Sequence, residues 1–207
     1  MSGSPLNAVK QLVLATKNRD KIREIRKILS DFSIEIKSLE DFPDMPDVVE
    51  DGATLEENAV KKARAFYHFT GLPALADDTG LEVDALNGAP GVFSSRFAGE
   101  NATYRDNREK LLRDLSGVPD GERGAQFRCV VAFVYGEQML TAEGIVRGEI
   151  THQSVGQGGF GYDPIFFVPE LGRTFAEIDL ETKNKISHRG IAFRKMTEKL
   201  RALQIIR

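Results

Sequence analysis

Apolar and polar positions alternate along the first third of the chain with the periods of strands and helices. Residues 11–16 (QLVLAT) form a short, mostly apolar run, which is typical of a buried strand. From about Arg19 to Leu29, Ile22, Ile25 and Ile28 recur at helical spacing while charges fill the other face. Residues 34–38 suit another strand. The pattern predicts a strand, an amphipathic helix and a second strand.

A second helix is predicted by its start and stop residues. Residues 40–52 contain two prolines and six acids and read as a loop. Thr54 and Glu57 then have the spacing of a capping box, so a helix should run from there to about His68. Gly71 and Pro73 end it. Its inward-facing positions are Leu55, Ala59, Ala63 and Phe66.

The middle and the end of the chain are richer in strands. The stretch 74–83 predicts a strand that ends at two acids, with a second strand beyond them, followed by a turn at 87–91 and a helix at 103–115. Residues 125–135 and 138–151 predict a β-hairpin around Gly136 and Glu137. A glycine-rich loop at 156–164 leads to a short strand at 165–168. A last helix should run from about Ser187 to Ala202, with one apolar stripe formed by Phe193, Met196, Leu200 and Leu203.

Helices and strands thus interleave early, and antiparallel strands cluster late. This order predicts a mixed α/β fold rather than a regularly alternating Rossmann sheet. The 207 residues are enough for one good core or for two small lobes, but not for two independent domains. We therefore treat residues 1–207 as a single domain.

Composition and charge exclude several classes of protein. The chain is 41% hydrophobic and 29% charged, which is ordinary for a globular protein and excludes a disordered or fibrous one. A net charge of -3 argues against a dedicated DNA or RNA binder, although a nucleotide pocket needs only a few local cations.

Targeting and cysteine usage point to a reducing compartment. No stretch approaches the roughly 20 apolar residues of a membrane span, and Met1–Gln11 shows no signal segment. The single cysteine, Cys129, excludes an intrachain disulfide and a cysteine zinc cluster, and its apolar neighbours predict a buried core residue. We expect a cytoplasmic protein that binds no membrane.

The segment TKNRDK at 16–21 is a candidate anion site. It joins the end of a buried strand to the start of a helix, where backbone N–H groups, the Thr16 hydroxyl and Lys21 could bind phosphate. It is not a Walker A loop. The alternative is a capped helix with a solvated, charged first turn.

Two adjacent acids, Asp77 and Asp78, form a second candidate together with Glu50. Neighbouring strand residues point to opposite faces, so Asp77 and Asp78 should not share one site. A carboxylate beside an apolar strand is costly to bury alone, and Mg²⁺ held by one or two carboxylates and by substrate phosphates would compensate it. The alternative is an ordinary strand-to-turn transition.

The loop GQGGFG at 156–161 matches G-x-G-x-x-G, but a turn and a strand follow it instead of a helix. This context excludes the dinucleotide-binding interpretation. A glycine-rich loop with an exposed Phe160 and Tyr162 could instead let a flat base approach and stack. The alternative is a plain β-turn.

Near the C-terminus, Lys183 precedes the segment Ser187-His188-Arg189. Ser187 is a suitable N-cap for the last helix. His188, Arg189 and Lys183 together offer donors for phosphate or for a purine carbonyl, although a lone histidine is more often structural.

The segments in this order resemble the inosine/xanthosine triphosphate pyrophosphatase family, which removes non-canonical purine nucleotides. The resemblance covers the chain from about residue 12 to about residue 200. The matching stretches are LATKNRDKIREI (14–25), VVEDGATLEENAVKKA (48–63), ALADDTGLEVDALNGAPGVFSSRFAG (74–99), GGFGYDPIFFVP (158–169) and KNKISHRG (183–190). One departure is Lys17, where relatives often carry glycine.

The resemblance implies an elongated α/β fold of two lobes around a mixed central sheet, with the active site in the cleft between the lobes. It also implies a homodimeric, Mg²⁺-dependent enzyme that hydrolyses ITP, dITP and XTP to the monophosphate and pyrophosphate. Asp78 matches the family's proton acceptor and a metal ligand, Glu50 a second metal-associated carboxylate, and Thr79 a neighbouring substrate contact. The triphosphate-binding residues that match are Thr16, Asn18 and Lys21.

The remaining matches lie towards the base. The base-pocket segment corresponds to Phe160, Gly161, Tyr162 and Asp163. The other nucleotide contacts correspond to Lys183, His188 and Arg189. Two rivals remain at this stage: a nucleoside triphosphate pyrophosphatase with another base preference, and a nucleotide-binding module without catalysis.

Overall fold

The computed structural model describes residues 9–206, and this part of the chain follows the predicted order of strands and helices. The strands are β1 (Gln11–Leu14), β2 (Glu35–Lys37), β3 (Ala74–Val83), β4 (Pro90–Gly91), β5 (Gly124–Tyr135), β6 (Gln138–Ile150), β7 (Phe166–Val168) and β8 (Arg173–Thr174). The α-helices are α1 (Arg19–Ile28), α2 (Leu55–Thr70), α3 (Tyr104–Asp114), α4 (Leu180–Ile186) and α5 (His188–Ala202). Most of Met1–Gln11, where we expect no signal segment, lies outside the described residues.

The strands form one mixed sheet in the order β2-β1-β3-β5-β6-β7-β8, and β4 pairs with β3. β1 pairs in parallel with β2 and with β3, because the helical segments α1 and α2 return the chain to the same end of the sheet. The pairs β3/β4, β6/β7 and β7/β8 are antiparallel. The predicted mixed α/β fold is confirmed.

β3 differs from the prediction of a strand that ends at two acids. It runs without a break through Asp77 and Asp78 to Val83. Its first half pairs with β1 at Leu14 and Leu75, and its second half pairs with β4. Gly80 allows the β4 backbone to approach closely, since a Cβ there would lie 2.7 Å from the Gly91 oxygen. Backbone pairing on both sides therefore extends the strand and leaves the two acids inside the sheet.

Two compact units divide the described chain. The first contains the residues up to Asp78, Val130–Gly144 and the residues from Gly190 on, and the second contains Thr79–Cys129 and Ile145–Arg189. The division falls within β3, between the consecutive residues Asp78 and Thr79. The core of the second unit is built from Leu81, Val83, Leu111, Leu115, Ala125, Phe127, Ile150, Tyr162, Ile165, Phe166, Val168 and Phe175.

The predicted helix faces are largely confirmed. The four inward positions of α2 are all buried, and so are Phe193, Met196 and Leu200 of α5. Leu203 is 46% exposed, so its place on the apolar stripe was wrong; α5 ends at Ala202 and the chain turns there. Cys129 is buried, as predicted. Among the described residues, we find no helix that is long and apolar enough to cross a membrane.

Candidate active site

A buried lysine of the first unit lies beside Glu50, Asp77 and Asp78. Lys62, on α2, is 7% exposed, and its Nζ lies 2.8 Å from Glu50 Oε2 and 3.3 Å from Asp78 Oδ1. The same nitrogen donates to the Asp77 carbonyl oxygen at 2.8 Å. The structure thus brings the two predicted metal-associated carboxylates, Glu50 and Asp78, to one cation.

Asp77 and Asp78 have different partners, as their alternation along β3 predicts. The Asp77 side chain is fully buried and its Oδ2 lies 3.1 Å from Lys21 Nζ, whereas Asp78 pairs with Lys62. Lys21, predicted to contact phosphate, is thus already held beside a carboxylate of β3. The acids are therefore part of a charge network in the sheet rather than of a simple turn.

Burial and the neighbouring charges together determine the pKa values of this network. Burial raises the pKa of Asp78 above the ordinary value of a carboxyl group, and the charges of Lys62 and Lys21 offset only part of that rise. For Lys62, burial opposes the charge, but the negative charges of Asp78 and Glu50 outweigh it and raise the pKa of the ammonium group. Lys62 therefore carries a positive charge between the carboxylates.

The start of α1 is built by the predicted turn residues. Asn18 caps the helix, since its Oδ1 accepts from the Asp20 and Lys21 backbone N–H groups at 3.0 and 3.1 Å. The Asn18 N–H in turn donates to the Thr16 hydroxyl oxygen at 3.2 Å. Lys17 forms an exposed ion pair with Asp47. The capped-helix alternative is thus present in the structure, and it also presents a helix N-terminus of the kind that binds anions.

In the second unit, a buried carboxylate holds the glycine-rich loop in place. Asp163 is 3% exposed, accepts from the Phe160 backbone N–H at 2.7 Å and forms an ion pair with the equally buried Lys183. The Gly158 N–H donates to the Ala176 carbonyl at 2.9 Å. These contacts make Asp163 a support of the loop, a role that the sequence did not indicate.

Two cations lie beside the Phe160 ring. Lys183 Nζ lies 4.9 Å and Arg189 Cζ 5.6 Å from the centre of the Phe160 ring, which is within the range of cation–π contacts. Arg189 Nη2 also donates to Thr79 Oγ1 at 3.2 Å. Of the predicted site residues, Thr79, Phe160, Asp163, Lys183 and Arg189 therefore lie together.

His188 and Tyr162 occupy interior positions. The His188 ring is buried and stacks on Phe127, with centroids 4.5 Å apart and planes inclined by 16°. The expectation of an exposed Tyr162 is wrong: it is 5% exposed, and its hydroxyl donates to the Ser94 carbonyl at 2.9 Å. Burial also raises the pKa of Tyr162, so its phenol stays neutral and keeps this bond.

Lys62 and the helix α4 are the parts of the site that the sequence analysis missed. Lys62 lies three residues after Ala59 and four before Phe66, on the buried face of α2. Lysine is rarely buried in proteins unless a charged partner lies beside it. A lysine at an inward-facing helix position was the signal in the sequence that could have identified Lys62 as a functional residue. Lys183 lies on α4, which begins with an N-cap at Asp179 and for which the sequence analysis predicts no element.

This arrangement offers two kinds of chemistry. A buried carboxylate whose pKa is raised is a stronger proton acceptor than an ordinary carboxylate and can take a proton from water. A partly buried phenylalanine ring beside cations can stack with a flat base. The carboxylate belongs to the first unit and suits proton transfer, whereas the ring belongs to the second unit and suits contact with a flat base.

Comparison with known proteins agrees with this chemistry. Residues 12–199 match the sequence model of the Ham1 family. The chain belongs to the Ham1 family. A dITP/XTP pyrophosphatase of Geobacter sulfurreducens is 53% identical over 191 residues, which are 92% of this chain and 96% of the relative. The family predicted from the sequence motifs is thereby confirmed.

Solved Ham1 structures share the fold. A HAM1 protein from Coxiella burnetii superposes with a TM-score of 0.84 at 45% identity and covers 93% of this chain and 98% of its own. The Ham1 protein of Staphylococcus aureus gives a TM-score of 0.83 at 40% identity, with 93% and 99% covered. The fold described above is therefore that of the Ham1 family.

Proposed function

We propose that this protein hydrolyses dITP, XTP and ITP in the cytoplasm, releasing the nucleoside monophosphate and pyrophosphate. The observation that carries the proposal is the 53% identity, along nearly the whole chain, to a protein named dITP/XTP pyrophosphatase. The geometry supports it, because a buried carboxylate and an aromatic platform are both built into the chain.

In this proposal Asp78 acts as the general base. It takes a proton from a water molecule whose oxygen attacks the α-phosphorus, and the bond from that phosphorus to the α–β bridging oxygen breaks. Pyrophosphate leaves with the bonding electrons. A raised pKa suits this task, because a base is most effective when its pKa lies near the working pH.

Lysine side chains would balance the charge that develops on the leaving group. Lys21 and Lys183 are the candidates by resemblance, and Lys62 joins them because its Nζ lies beside Asp78. Thr16 and Asn18, which build the start of α1, would complete the phosphate contacts there.

Magnesium is part of the proposal, with Glu50 and Asp78 as its protein ligands. These two carboxylates already converge on one cation, the Lys62 ammonium group, and within residues 9–206 no third acid, histidine or cysteine groups with them. Such a small set fits Mg²⁺, which takes few protein ligands and completes its shell with water and substrate phosphates. When bound, the ion would neutralise phosphate charge and polarise the attacked phosphorus.

The base would stack on Phe160, with Gly161, Tyr162 and Asp163 as the segment that shapes the pocket. Hypoxanthine and xanthine carry an oxygen at position 6 that accepts a hydrogen bond from a donor, whereas adenine carries an amino group there, which is itself a donor. Guanine shares the oxygen, so its 2-amino group would have to be rejected by steric exclusion or by an unpaired contact. Arg189 and His188 are the side-chain candidates for this donor, and Arg189 is the one beside the Phe160 ring.

A panel of nucleoside triphosphates with pyrophosphate detection tests the proposal and separates it from its two rivals. We expect kcat/KM for dITP and XTP to exceed that for ATP and GTP by at least ~100-fold, the scale of one or two mismatched hydrogen bonds. Activity should disappear in EDTA and return with Mg²⁺. Equal rates on ATP would contradict the base preference, and binding without turnover would indicate a non-catalytic module.

The predicted homodimer is a further part of the proposal. Sedimentation equilibrium of the full chain, with and without dITP, measures the mass directly. A single species of the monomer mass at micromolar concentration would rule it out.

A further inference from the structure

Helix α3 reaches the glycine-rich loop through one side chain. The part-buried Arg108 donates from Nη1 to the Gly161 carbonyl oxygen at 2.7 Å. Gly161 directly follows Phe160, the ring beside which Lys183 and Arg189 lie. A guanidinium group that donates to a carbonyl makes a charge-assisted hydrogen bond, which is stronger than an ordinary one.

The helix that carries Arg108 is itself anchored through its buried face. Asn107 is buried, accepts from the Ala98 N–H at 2.8 Å and donates to the Ser95 carbonyl at 3.0 Å. Leu111 is fully buried in the core of the second unit. Arg108 therefore extends from a helix that is held in place by Asn107 and Leu111.

The loop needs such an external contact because the backbone around Phe160 has great freedom. Both neighbours of Phe160, Gly159 and Gly161, have positive φ angles of 67° and 58°. Glycine adopts these conformations easily and leaves them as easily. Asp163 holds the peptide before Phe160 through its N–H. Arg108 holds the peptide after Gly161 through its carbonyl, so the ring is fixed from both sides.

Tyr104 makes a second contact between this face of α3 and the glycine-rich loop. Tyr104 lies four residues before Arg108, one helical turn away, and its ring centre is 5.8 Å from that of Phe160. α3 thus contacts both the ring and the backbone of the segment that would stack with the base.

We infer that Arg108 is a positioning residue that holds the Phe160 platform in the orientation in which a purine base stacks on it. The inference rests on the proposed function, since it names what keeps that base site in shape. Arg108 acts through Gly161 and Phe160 and not on the reacting atoms. Its loss should therefore weaken binding of the substrate and of the transition state equally. Such a change raises KM and leaves kcat unchanged.

Three variants test this. Arg108→Ala should raise KM for dITP about tenfold, the lower end of what a hydrogen bond to a charged group contributes. kcat should stay within about twofold of the wild type. Arg108→Lys keeps the charge and one donor and should recover part of the loss. Arg105→Ala is the matched control, because Arg105 lies on the same helix in an exposed pair with Glu109, and it should change nothing.

Hydrogen exchange of the nucleotide-free protein provides a readout that does not depend on activity. The amides of residues 157–163 should exchange faster in Arg108→Ala than in the wild type and in Arg105→Ala, while those of β5 stay unchanged. If Arg108→Ala fails to fold, Arg108→Gln takes its place in both measurements.

The outcomes separate the two proposals. A wild-type protein that hydrolyses neither dITP nor XTP refutes the proposed function, and the role inferred for Arg108 at a base site falls with it. A wild-type protein that is active, with an Arg108→Ala variant of unchanged KM or unchanged loop exchange, refutes the role of Arg108 alone. A fall in kcat at constant KM would also overturn it.

Discussion

Replacing Asp78 with asparagine separates the catalytic role of this carboxylate from its effect on stability. Asp78 is 7% exposed, and burial raises its pKa even though Lys62 and Lys21 act in the opposite direction. A carboxyl group with a pKa raised by folding binds its proton more tightly in the folded state. Its ionisation at neutral pH therefore lowers the free energy of unfolding. Asparagine has nearly the same shape and no charge to desolvate, so it should raise that free energy.

The attraction between Asp78 and Lys62 does not reverse this sign, because the raised pKa already includes it. In the variant, Lys62 keeps Glu50 Oε2 and the Asp77 carbonyl oxygen, each at 2.8 Å. We expect the free energy of unfolding at pH 7 to rise by about 0.5–2 kcal/mol, the usual gain from a stabilising substitution. We expect kcat to fall by about 10²–10⁴, the usual contribution of a general base.

Chemical denaturation in EDTA at several pH values measures the first effect, and pyrophosphate release measures the second. The stability gain should be largest at neutral pH. It should shrink as the pH falls through the raised pKa of Asp78, because the wild type then also carries a neutral carboxyl group. Asp84→Asn is the control: Asp84 is in an exposed pair with Arg147, and its loss should change stability by less than about 1 kcal/mol and leave activity intact.

Two results would refute this reasoning separately. If Asp78→Asn keeps near wild-type kcat, Asp78 is not the base. If the variant is less stable than the wild type at pH 7 and this deficit shrinks as the pH falls, then the ionised carboxylate stabilises the fold and the raised pKa is the wrong premise.

Three further predictions concern the second unit. Arg123→Ala should lower the free energy of unfolding by about 3 kcal/mol in denaturant titration, because a buried guanidinium that donates to the carbonyls of Leu115, Val118, Ile150 and Thr151 is lost; a loss below about 1 kcal/mol would contradict it. Arg189→Ala should lower the ratio of kcat/KM for ITP to that for ATP, whereas Lys183→Ala should weaken both substrates alike if it meets only the shared phosphates; an unchanged ratio for Arg189→Ala would mean that other groups read the base. Tyr162→Phe should cost about 1 kcal/mol of stability because the Ser94 carbonyl loses its donor, and it should leave kcat for dITP unchanged; a large fall in kcat at normal stability would show that the hydroxyl serves catalysis.

Local patterns predicted the elements well because each was determined by residues close in the chain. The apolar spacing in α1 and α2, the capping residue Thr54 and the turn at Gly136 each depend on residues within one or two turns of chain. β3 was misjudged because its length depends on distant partners. Asp77 and Asp78 look like the end of a strand until β1 and β4 are seen to pair on either side of them.

The candidate active site was likewise predicted in part by local sequence and decided in part by folding. The order of motifs alone identified the family and the predicted residues from Thr16 to Arg189, since residue types at fixed spacing are a property of the sequence. The sequence did not show that Lys62 lies between Glu50 and Asp78, because those residues come from a loop, a helix and a strand that meet only after folding.

Burial and partner choice were likewise decided by the tertiary structure. Tyr162 was expected at the surface and proved to be buried, and Asp163 proved to be the counter-charge of Lys183, 20 residues further along the chain. The sequence by itself determined the elements, the family and the residue types available for chemistry. Only the tertiary structure decided which of these residues are buried and paired, because desolvation and ion pairing depend on neighbours that chain distance does not reveal.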